Sequence, residues 1–305
     1  MPQSVCNGHR TSATWFPIGV AAILLALGAA LAYGASDFLG GRASTRTHFS
    51  AVTSVGAGAA LIVALVAAPL VDARLSLGPI GWGLLSGAGS GFGTLFLYRG
   101  LARARVSVVA PTSGVLAAAL PACIAVILGE RPTPVTVLGL LIALPAVWLI
   151  SGGGAETSDQ SGPSGLLDGM LAGGGFGLLF VAVDQAGDSA GLWPLAAGQA
   201  VSFVLVTVIA VGFRKTLRSS AATQATGDRS WVLMAIATGL LGSLAILLFY
   251  ASTTTGLLTI AAVLTSLYPA WTIVLARLVL DERLSRRQGV GLALAGGAVV
   301  LITLG

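Results

Sequence analysis

One carboxylate lies inside the first long apolar stretch of the chain, in the segment AYGASDFLGG at residues 32–41. In a helix, Asp37 shares one face with Tyr33, Ser36 and Gly40, because residues three and four apart are neighbours on a helix surface. A fixed charge that faces lipid costs a few kcal/mol. The Asp37 side chain must therefore face water or a partner.

Two roles are open for the Asp37 carboxylate. In the first it is a protonatable or cation-binding group at the mouth of a cavity, since acids inside membranes often serve in proton relays. In the second it is structural, either solvated near a helix end or bonded to Arg42 or Arg46. Asp184, beside Gln185 in the segment FVAVDQAGDS, presents the same choice nearer the opposite face of the membrane.

Hydroxyl groups form a second pattern, in which helical spacing puts several of them on one face. One row lies in the third apolar stretch and another in the ninth: Ser86, Ser90, Thr94 and Tyr98, and Thr265, Tyr268, Pro269 and Thr272. Hydroxyls gain nothing by facing acyl chains, so both rows are expected to face inward, where they either bridge helices or line a cavity.

Two Glu-Arg pairs, Glu130-Arg131 and Glu282-Arg283, fall where apolar stretches end. Each pair can bond internally or to nearby loop backbone, and anchoring of a helix end is the preferred interpretation over a substrate role. Asp168 is expected at the edge of a loop.

Composition places all these residues in a membrane. Hydrophobic residues make up 55% of the chain and charged residues only 9%, whereas soluble domains have about 25% charged residues. The net charge of +5 is interpreted as a topology signal, and no nucleic-acid partner is expected. The bias to Arg, Ala and Gly suggests a bacterial protein, which predicts a multi-pass protein of the inner (plasma) membrane.

Ten apolar stretches approach the roughly 20 residues that a membrane-spanning helix needs. They lie at about 18–40, 49–70, 79–101, 106–128, 134–152, 165–187, 192–213, 231–253, 257–280 and 287–304. The predicted fold class is an all-α membrane protein with ten transmembrane helices. An N-terminal tail at 1–17 precedes them, and a linker at 153–164 divides them into two sets of five.

The chain repeats with an offset of 152 residues, which aligns 98–150 with 250–302 without a gap. Matched positions include Tyr98 with Tyr250, Ser113 with Thr265, and Glu130-Arg131 with Glu282-Arg283. Because each copy has five helices, the copies at 18–152 and 165–305 must cross the membrane in opposite senses. Inverted repeats are typical of secondary transporters, whose substrate site lies between the copies. This symmetry predicts that the two matched tyrosines face one central cavity.

Positive charges orient the predicted helices. Twelve lie after helices 1, 3, 7 and 9: Arg42, Arg46, Arg99, Arg103, Arg105, Arg214, Lys215, Arg218, Arg229, Arg283, Arg286 and Arg287. Three lie on the other side: Arg10, Arg74 and Arg131. Since positive loops stay in the cytoplasm, both termini are predicted on the extracytoplasmic side.

A proline-containing helix followed by LGERPTPVTVLGLLIAL, and later by LDERLSRRQGVGLALAG, resembles the carboxy-terminal part of the EamA repeat of the drug/metabolite transporter superfamily. The resemblance covers the chain from about residue 20. It implies ten helices around a central cavity, alternating access, and often coupling to a proton or an exchanged solute. Relatives export amino acids, carry sugars or nucleotide sugars, or extrude drugs, so the substrate stays open.

The expected function is a secondary transporter, an exporter or exchanger of small metabolites or drugs, with proton coupling at Asp37 as a hypothesis. A lipid flippase on the same scaffold and a membrane-embedded enzyme are the alternatives. The only histidines, His9 and His48, lie in the tail and in a loop, and no nucleophile–base pair or metal-ligand spacing occurs, so no catalytic residue, metal or cofactor is expected.

The expected partners are a small-molecule substrate and the lipid bilayer, with the protein a monomer or homodimer. The predicted substrate-binding residues are Tyr33, Ser36, Asp37, Thr94, Tyr98, Ser113, Asp184, Gln185, Tyr250, Thr265 and Tyr268.

Overall fold

The described part of the chain is helical. The structure is a computed structural model that describes residues 15–44, 46–47, 49–73, 76–103, 106–150, 163–217, 230–280 and 285–304. These residues contain a 3-10 turn (Ala68–Leu70), no strand, and the helices α1 (Trp15–Ser44), α2 (Phe49–Ala67), α3 (Leu77–Arg103), α4 (Val106–Ile127), α5 (Pro134–Ile150), α6 (Pro163–Ala186), α7 (Trp193–Leu217), α8 (Ser230–Thr255), α9 (Leu258–Thr265), α10 (Tyr268–Leu280) and α11 (Arg286–Leu304).

The ninth predicted stretch is two helices rather than one. Helix α9 ends at Thr265 and α10 begins at Tyr268, with a turn between them. Pro269 is the second residue of α10, where the missing N–H of proline costs no helical hydrogen bond. The proline therefore starts a helix instead of kinking a continuous one, and the prediction of a single helix over 257–280 is wrong.

Six of the described helical spans are long and apolar enough to cross a membrane: Val20–Ser44, Ser50–Leu70, Leu166–Ala186, Trp193–Gly212, Ser230–Thr255 and Arg286–Leu304. Shorter apolar helical segments lie at Thr112–Ile127, Pro134–Ile150 and Leu258–Thr272. Large apolar side chains on their outer surfaces are exposed, for example Leu233 at 73% and Val208 at 63%. Such a surface is stable only in lipid, so the chain is a multi-pass membrane protein.

Helices of the first half (α1–α5) pack mainly on helices of the second half (α6–α11). Helix α1 packs on α8 while α3 packs on α6, and α2 packs on α8 while α7 packs on α3. In chain order α1, α2 and α3 correspond to α6, α7 and α8. The contact of α1 with α8 therefore corresponds to that of α6 with α3, and the contact of α2 with α8 corresponds to that of α7 with α3. Equivalent helices also pair directly, as α2 with α7, α4 with α9 and α5 with α11. This exchange is the contact pattern of an approximate two-fold axis between the halves.

Helix α1 runs parallel to α9 and α10. The hydroxyl of Thr265 donates to the carbonyl oxygen of Ala26 at 3.4 Å. Further along both segments, the hydroxyl of Thr272 donates to the carbonyl oxygen of Gly34 at 3.1 Å. Because the two contacts follow in the same order along both segments, α9 and α10 point in the same direction as α1.

The first helices of the two halves, α1 and α6, run in opposite directions. Glu130 follows the end of α4 and bonds to the start of α9, so α4 runs against α9 and therefore against α1. Helix α6 runs parallel to α4, because Gly173 lies against Leu116 and Gly177 lies against Leu120. The two halves are thus related by a two-fold rotation that reverses the helix directions.

Glycines allow the closest of these helix contacts. A Cβ atom on Gly87 of α3 would overlap the carbonyl oxygen of Gly198 of α7, and a Cβ on Gly83 would overlap the carbonyl oxygen of Pro194. The row of small residues along α3 therefore brings two backbones together, which is a main source of helix association in lipid.

Candidate functional site

A cavity of about 180 Å³ lies between the two halves of the molecule. Its polar lining comes from six helices and consists of Tyr33, Ser36, Asp37, Thr53, Ser86, Ser90, Thr94, Gln199, Ser202, Thr238 and Tyr268. Among the described residues that line it, Asp37 is the one with a charged side chain. The rest of the lining is apolar or glycine, so the cavity is a largely neutral chamber with one carboxylate.

Asp37 lies on the cavity wall formed by α1, one helical turn after Tyr33. Within the described part of the chain its carboxylate makes no hydrogen bond or ion pair. The guanidinium of Arg46 bonds instead to the hydroxyl of Ser230, at the start of α8. Among the described contacts, none joins Asp37 to an arginine of its own helix end, which is one form of the structural alternative; solvation near the helix end is the other.

Hydroxyls on the wall already donate to backbone carbonyls. Ser36 Oγ donates to the carbonyl oxygen of Thr238 at 3.0 Å, and Thr238 Oγ1 donates to that of Met234 at 2.9 Å. Ser86 Oγ donates to the carbonyl oxygen of Gly83 at 2.7 Å. A hydroxyl has one proton to donate and two lone pairs. These three side chains therefore present acceptor lone pairs to the cavity.

Aromatic rings form one corner of the cavity, next to Asp37. The ring of Tyr33 lies 6.3 Å from the ring of Tyr268 and 6.4 Å from that of Phe180, centroid to centroid. Phe180 in turn lies 4.5 Å from Phe249, which is fully buried. The corner thus joins the polar wall to the apolar core below it.

The cavity occupies one end of the bundle, and packed side chains close the other end. Helix α1 contributes residues of its C-terminal half to the lining, α2 and α8 contribute mostly residues of their N-terminal halves, and α3 contributes its middle part, from Ser86 to Leu97. Below them, a buried cluster fills the space between α4, α6, α8 and α9, and includes Ala125, Val183, Phe249, Leu258 and Ala262. Packed side chains therefore separate the cavity from this end of the described structure.

Polar contacts between distant segments accompany the closed end, and Tyr250 makes one of them. Its hydroxyl lies 3.0 Å from the carbonyl oxygen of Gly187 and 3.3 Å from that of Gly191. Both glycines have positive φ, 61° and 54°, and the α6–α7 connection needs them for its tight turns. Tyr250 thus ties the end of α8 to this connection.

Glu130 makes another of these contacts at the closed end. Its carboxylate accepts hydrogen bonds from the backbone N–H of Leu258 at 2.6 Å and of Thr259 at 3.0 Å, and from the hydroxyl of Thr259 at 2.5 Å. It therefore caps α9, where the first N–H groups have no helical partner. The sequence predicted a bond to Arg131 or to nearby loop backbone, and the actual partner lies in the other half of the molecule.

Asp168 is not a loop residue, contrary to the prediction. It lies within α6 with only 3% of its surface exposed, and forms an ion pair with Arg99 of α3. The Nε of Arg99 donates to Asp168 Oδ1 at 3.0 Å, and the guanidinium carbon lies 4.6 Å from the ring centroid of Phe96. A carboxylate at this depth needs such a partner, so the pair joins the two halves at the end that contains the cavity.

Five of the predicted site residues line one cavity. They come from α1, α3 and α10, and are Tyr33, Ser36, Asp37, Thr94 and Tyr268. The helical-face reasoning that grouped the first three therefore identified a real wall of the cavity. Their roles toward a substrate stay predictions.

The other predicted site residues lie elsewhere. Ser113 is buried between α4 and α6, and its hydroxyl has no hydrogen-bond partner in the described structure. Thr265 is buried against α1, and Tyr250 bonds to the α6–α7 connection. Asp184 accepts a hydrogen bond from Gln185 at 3.0 Å near the closed end. The side chain of Tyr98 lies outside the described residues.

Several lining residues were missed by the sequence prediction. Gln199 and Ser202 contribute α7 to the cavity, Thr53 contributes α2 and Thr238 contributes α8. Gln199 and Ser202 are three residues apart in an apolar stretch, so the same-face argument that was applied to Asp37 would have found them. The other two are single hydroxyls, for which sequence spacing provides no signal.

The fold and the cavity define a class of protein: a helical membrane transporter built from two similar halves with a solute-sized chamber between them. The chain belongs to the EamA-like transporter family, whose family model matches residues 20–152 and 163–304. Membership of this family implies a transporter rather than an enzyme.

Solved structures share the fold. One of them, described only as the crystal structure of a protein, is 18% identical to this chain with a TM-score of 0.76, and the match covers 93% of this chain and 98% of that one. At this identity the likeness concerns the fold alone. No curated protein matches the chain at a significant level.

Proposed function

We propose that the protein is a secondary transporter that moves a small solute across the membrane by alternating access through the cavity between its halves. The observation that carries the proposal is the chamber itself, which lies between two halves related by direction reversal and is closed at one end by packed side chains. The turn between α9 and α10 supports it, because interrupted helices often border transport sites.

Ten membrane crossings are part of this proposal, with α9 and α10 together forming one of them. The opposite directions of α1 and α6 support an inverted repeat, since a helix and its counterpart then cross the bilayer in opposite senses. The excess of arginine after α1, α3, α7 and α10 supports cytoplasmic placement of the end that contains the cavity. The proposed location is a bacterial inner membrane.

Proton coupling at Asp37 is the proposed source of energy. The titratable side chains around it in the cavity are those of Tyr33 and Tyr268. The nearest positive charges lie on Arg42, two residues beyond Gly40 of the same helix, and on Arg46, which bonds to α8. A carboxylate with neutral surroundings can bind and release a proton as the cavity changes sides, which a fixed ion pair could not do.

A cavity-filling substitution tests the transport function. A Cβ atom at Gly242 would meet only Ser36 Oγ, at 3.8 Å, so Gly242→Leu fits the backbone and places its side chain at the chamber wall. At Gly296 a Cβ would meet no other atom within 4 Å, and Gly296→Leu is the matched control on an exposed surface.

The measurement is solute uptake by proteoliposomes. Solutes that raise the melting temperature of the purified protein are first selected from amino acids, sugars, nucleosides and organic cations, and each is then labelled. We expect uptake of at least one of them by the parent protein and by Gly296→Leu, and loss of that uptake in Gly242→Leu. Equal uptake by Gly242→Leu would show that the solute does not pass through this cavity.

A further inference from the structure

We infer that the transported solute is an organic cation, a small molecule with a quaternary or protonated nitrogen and an apolar body, which binds between Asp37 and the aromatic corner of the cavity. This inference rests on the proposed transport function and specifies the substrate class for the same cavity. Three independent properties of the lining support it: its charge, its hydrogen-bonding capacity and its rings.

The charge of the lining favours a cation. Asp37 is the one charged group among the described lining residues. Arg99, which lies four residues before the end of α3, is paired with Asp168. An anionic solute would lose its hydration and meet a carboxylate without a compensating positive side chain, whereas a cation would meet a countercharge.

The hydrogen-bonding capacity of the wall also favours a donor-bearing solute. Because Ser36, Thr238 and Ser86 already donate their hydroxyl protons to backbone carbonyls, they offer the cavity mainly lone pairs. A carboxylate solute needs donors, and these three hydroxyls do not offer any. A protonated amine brings its own donors, and a quaternary ammonium needs none.

The aromatic corner suits the body of such a cation. Tyr33 and Tyr268 lie 6.3 Å apart at an interplanar angle of 59°, and Phe180 meets Tyr33 at 61°. Rings set at such angles form two sides of a cage, and ring faces attract ammonium groups. Since Tyr33 lies one turn before Asp37 on the same face, the cage and the carboxylate can hold one ligand.

The start of α10 provides the main argument for an anion, because a helix N-terminus favours negative charge. In this structure, however, local hydrogen bonds use the N–H groups of the turn. Leu267 N donates to the carbonyl oxygen of Leu264 at 3.2 Å, Ala270 N donates to that of Leu267 at 2.9 Å, and Pro269 has no N–H. The carboxylate on the wall therefore outweighs this helix end, and an anionic probe tests that conclusion.

The experiment compares probes of one shape and three charges. Choline, 3,3-dimethylbutan-1-ol and 3,3-dimethylbutanoate share a tert-butyl-like head and differ in net charge; tetramethylammonium and tetraethylammonium vary the size of the cation. Binding to the purified protein in nanodiscs is measured by isothermal titration calorimetry. We expect at least one cation to bind, the neutral isostere to bind about tenfold more weakly or worse, and the anion not to bind.

Asp37→Asn is expected to weaken cation binding by roughly 100-fold, since it removes the countercharge and keeps the shape. Asp72→Asn, which removes an exposed carboxylate outside the cavity, is the matched control and should bind like the parent. Asp37→Glu should retain the preference for cations. If Asp37→Asn does not fold, Gly242→Leu replaces it, because filling the cavity should abolish the same binding.

The substrate class is overturned if no cation binds, if the neutral or anionic isostere binds as well as choline, or if Asp37→Asn binds the cation like the parent. Each of these results leaves the uptake test with Gly242→Leu unaffected. If the cations bind through Asp37 but neither they nor any other selected solute enters proteoliposomes, the cation site stands and the proposed transport function fails instead.

Discussion

Replacing Glu130 with Gln is expected to weaken the closed end of the transporter. The carboxylate accepts three hydrogen bonds from the start of α9, at 2.5, 2.6 and 3.0 Å. A hydrogen bond to a charged group contributes about 1.5–3 kcal/mol, and an anion at a helix N-terminus contributes about 0.5 kcal/mol more. Gln keeps one acceptor oxygen and turns an N–H₂ group toward donors, so the loss should be about 2 kcal/mol.

This loss should shift the balance between closed and open conformations. Glu130 belongs to the first half and α9 to the second, and contacts between halves at a closed end must break when that end opens. If the contact exists only in the closed form, about 2 kcal/mol corresponds to a roughly 30-fold larger open population. Thr259→Val removes only the hydroxyl contact and should cause a smaller shift, about fivefold.

Cysteine labelling measures the shift. In a background with Cys6 and Cys123 replaced by Ser, Ala125→Cys places a reporter in the buried cluster of the closed end, where Ala125 is 1% exposed. Its reaction with a water-soluble maleimide in nanodiscs should accelerate roughly 30-fold in Glu130→Gln. The control, Arg131→Gln, changes the charge of the adjacent, exposed residue and should leave the rate unchanged.

An unchanged labelling rate in a folded Glu130→Gln variant would refute this reasoning. A lower melting temperature without faster labelling would show that the cap stabilises α9 in every conformation. Equal acceleration by Arg131→Gln would show that local charge, and not the three hydrogen bonds, controls the closed end.

Three further predictions concern packing, the buried ion pair and topology. Gly87→Ala should lower stability by about 1–3 kcal/mol because its Cβ would overlap the α7 backbone, while Gly296→Ala should not; melting temperatures in one detergent compare them. Asp168→Asn should cost about 1–2 kcal/mol, less than a fully buried pair, because the Arg99 side chain is 36% exposed; denaturant titration would contradict this if the midpoint did not fall. Alkaline phosphatase fused after Gly305 should be active and a fluorescent protein dark, and the reverse result would invert the topology.

The helices were predictable because lipid demands long apolar segments and the loops between them are polar. The break between α9 and α10 was harder to predict. Pro269 signals an interruption, but a proline inside an apolar run fits a kinked helix as well as a helix start. Which of the two forms depends on packing against α1, where Thr265 and Thr272 bond to backbone carbonyls.

One wall of the cavity was predictable because its polar residues lie on one helix. Tyr33, Ser36 and Asp37 have spacings that place them on one face, and that face does line the chamber. Residues that contact each other from different helices show no regular spacing in the sequence. The bond from Leu258 of α9 to Glu130 spans 128 residues, and no spacing in the sequence indicates it.

The repeat symmetry predicted that Tyr250 faces the central cavity, but its hydroxyl bonds to the α6–α7 connection. Alternation between two conformations of an inverted repeat explains the difference. Alternating access requires the two halves to differ in conformation at any one time. Residues that the repeat aligns therefore have different surroundings in one conformation and exchange these surroundings in the other. Tyr250 serves the closed end here, and its counterpart Tyr98 belongs to the end that contains the cavity. The 152-residue register similarly matches Glu130 with Glu282 and Thr259 with Ser107.

The register therefore predicts opposite effects of the two glutamates on access. Glu282 lies outside the described residues, and its assignment rests on the register together with the hydroxyl at its partner position, which both copies retain. If the two carboxylates stabilise closure of opposite ends, Glu282→Gln should favour the conformation described here and slow labelling of Ala125→Cys, while Glu130→Gln accelerates it. Acceleration by both substitutions would mean that the glutamates only stabilise the fold, and the symmetry argument would fail.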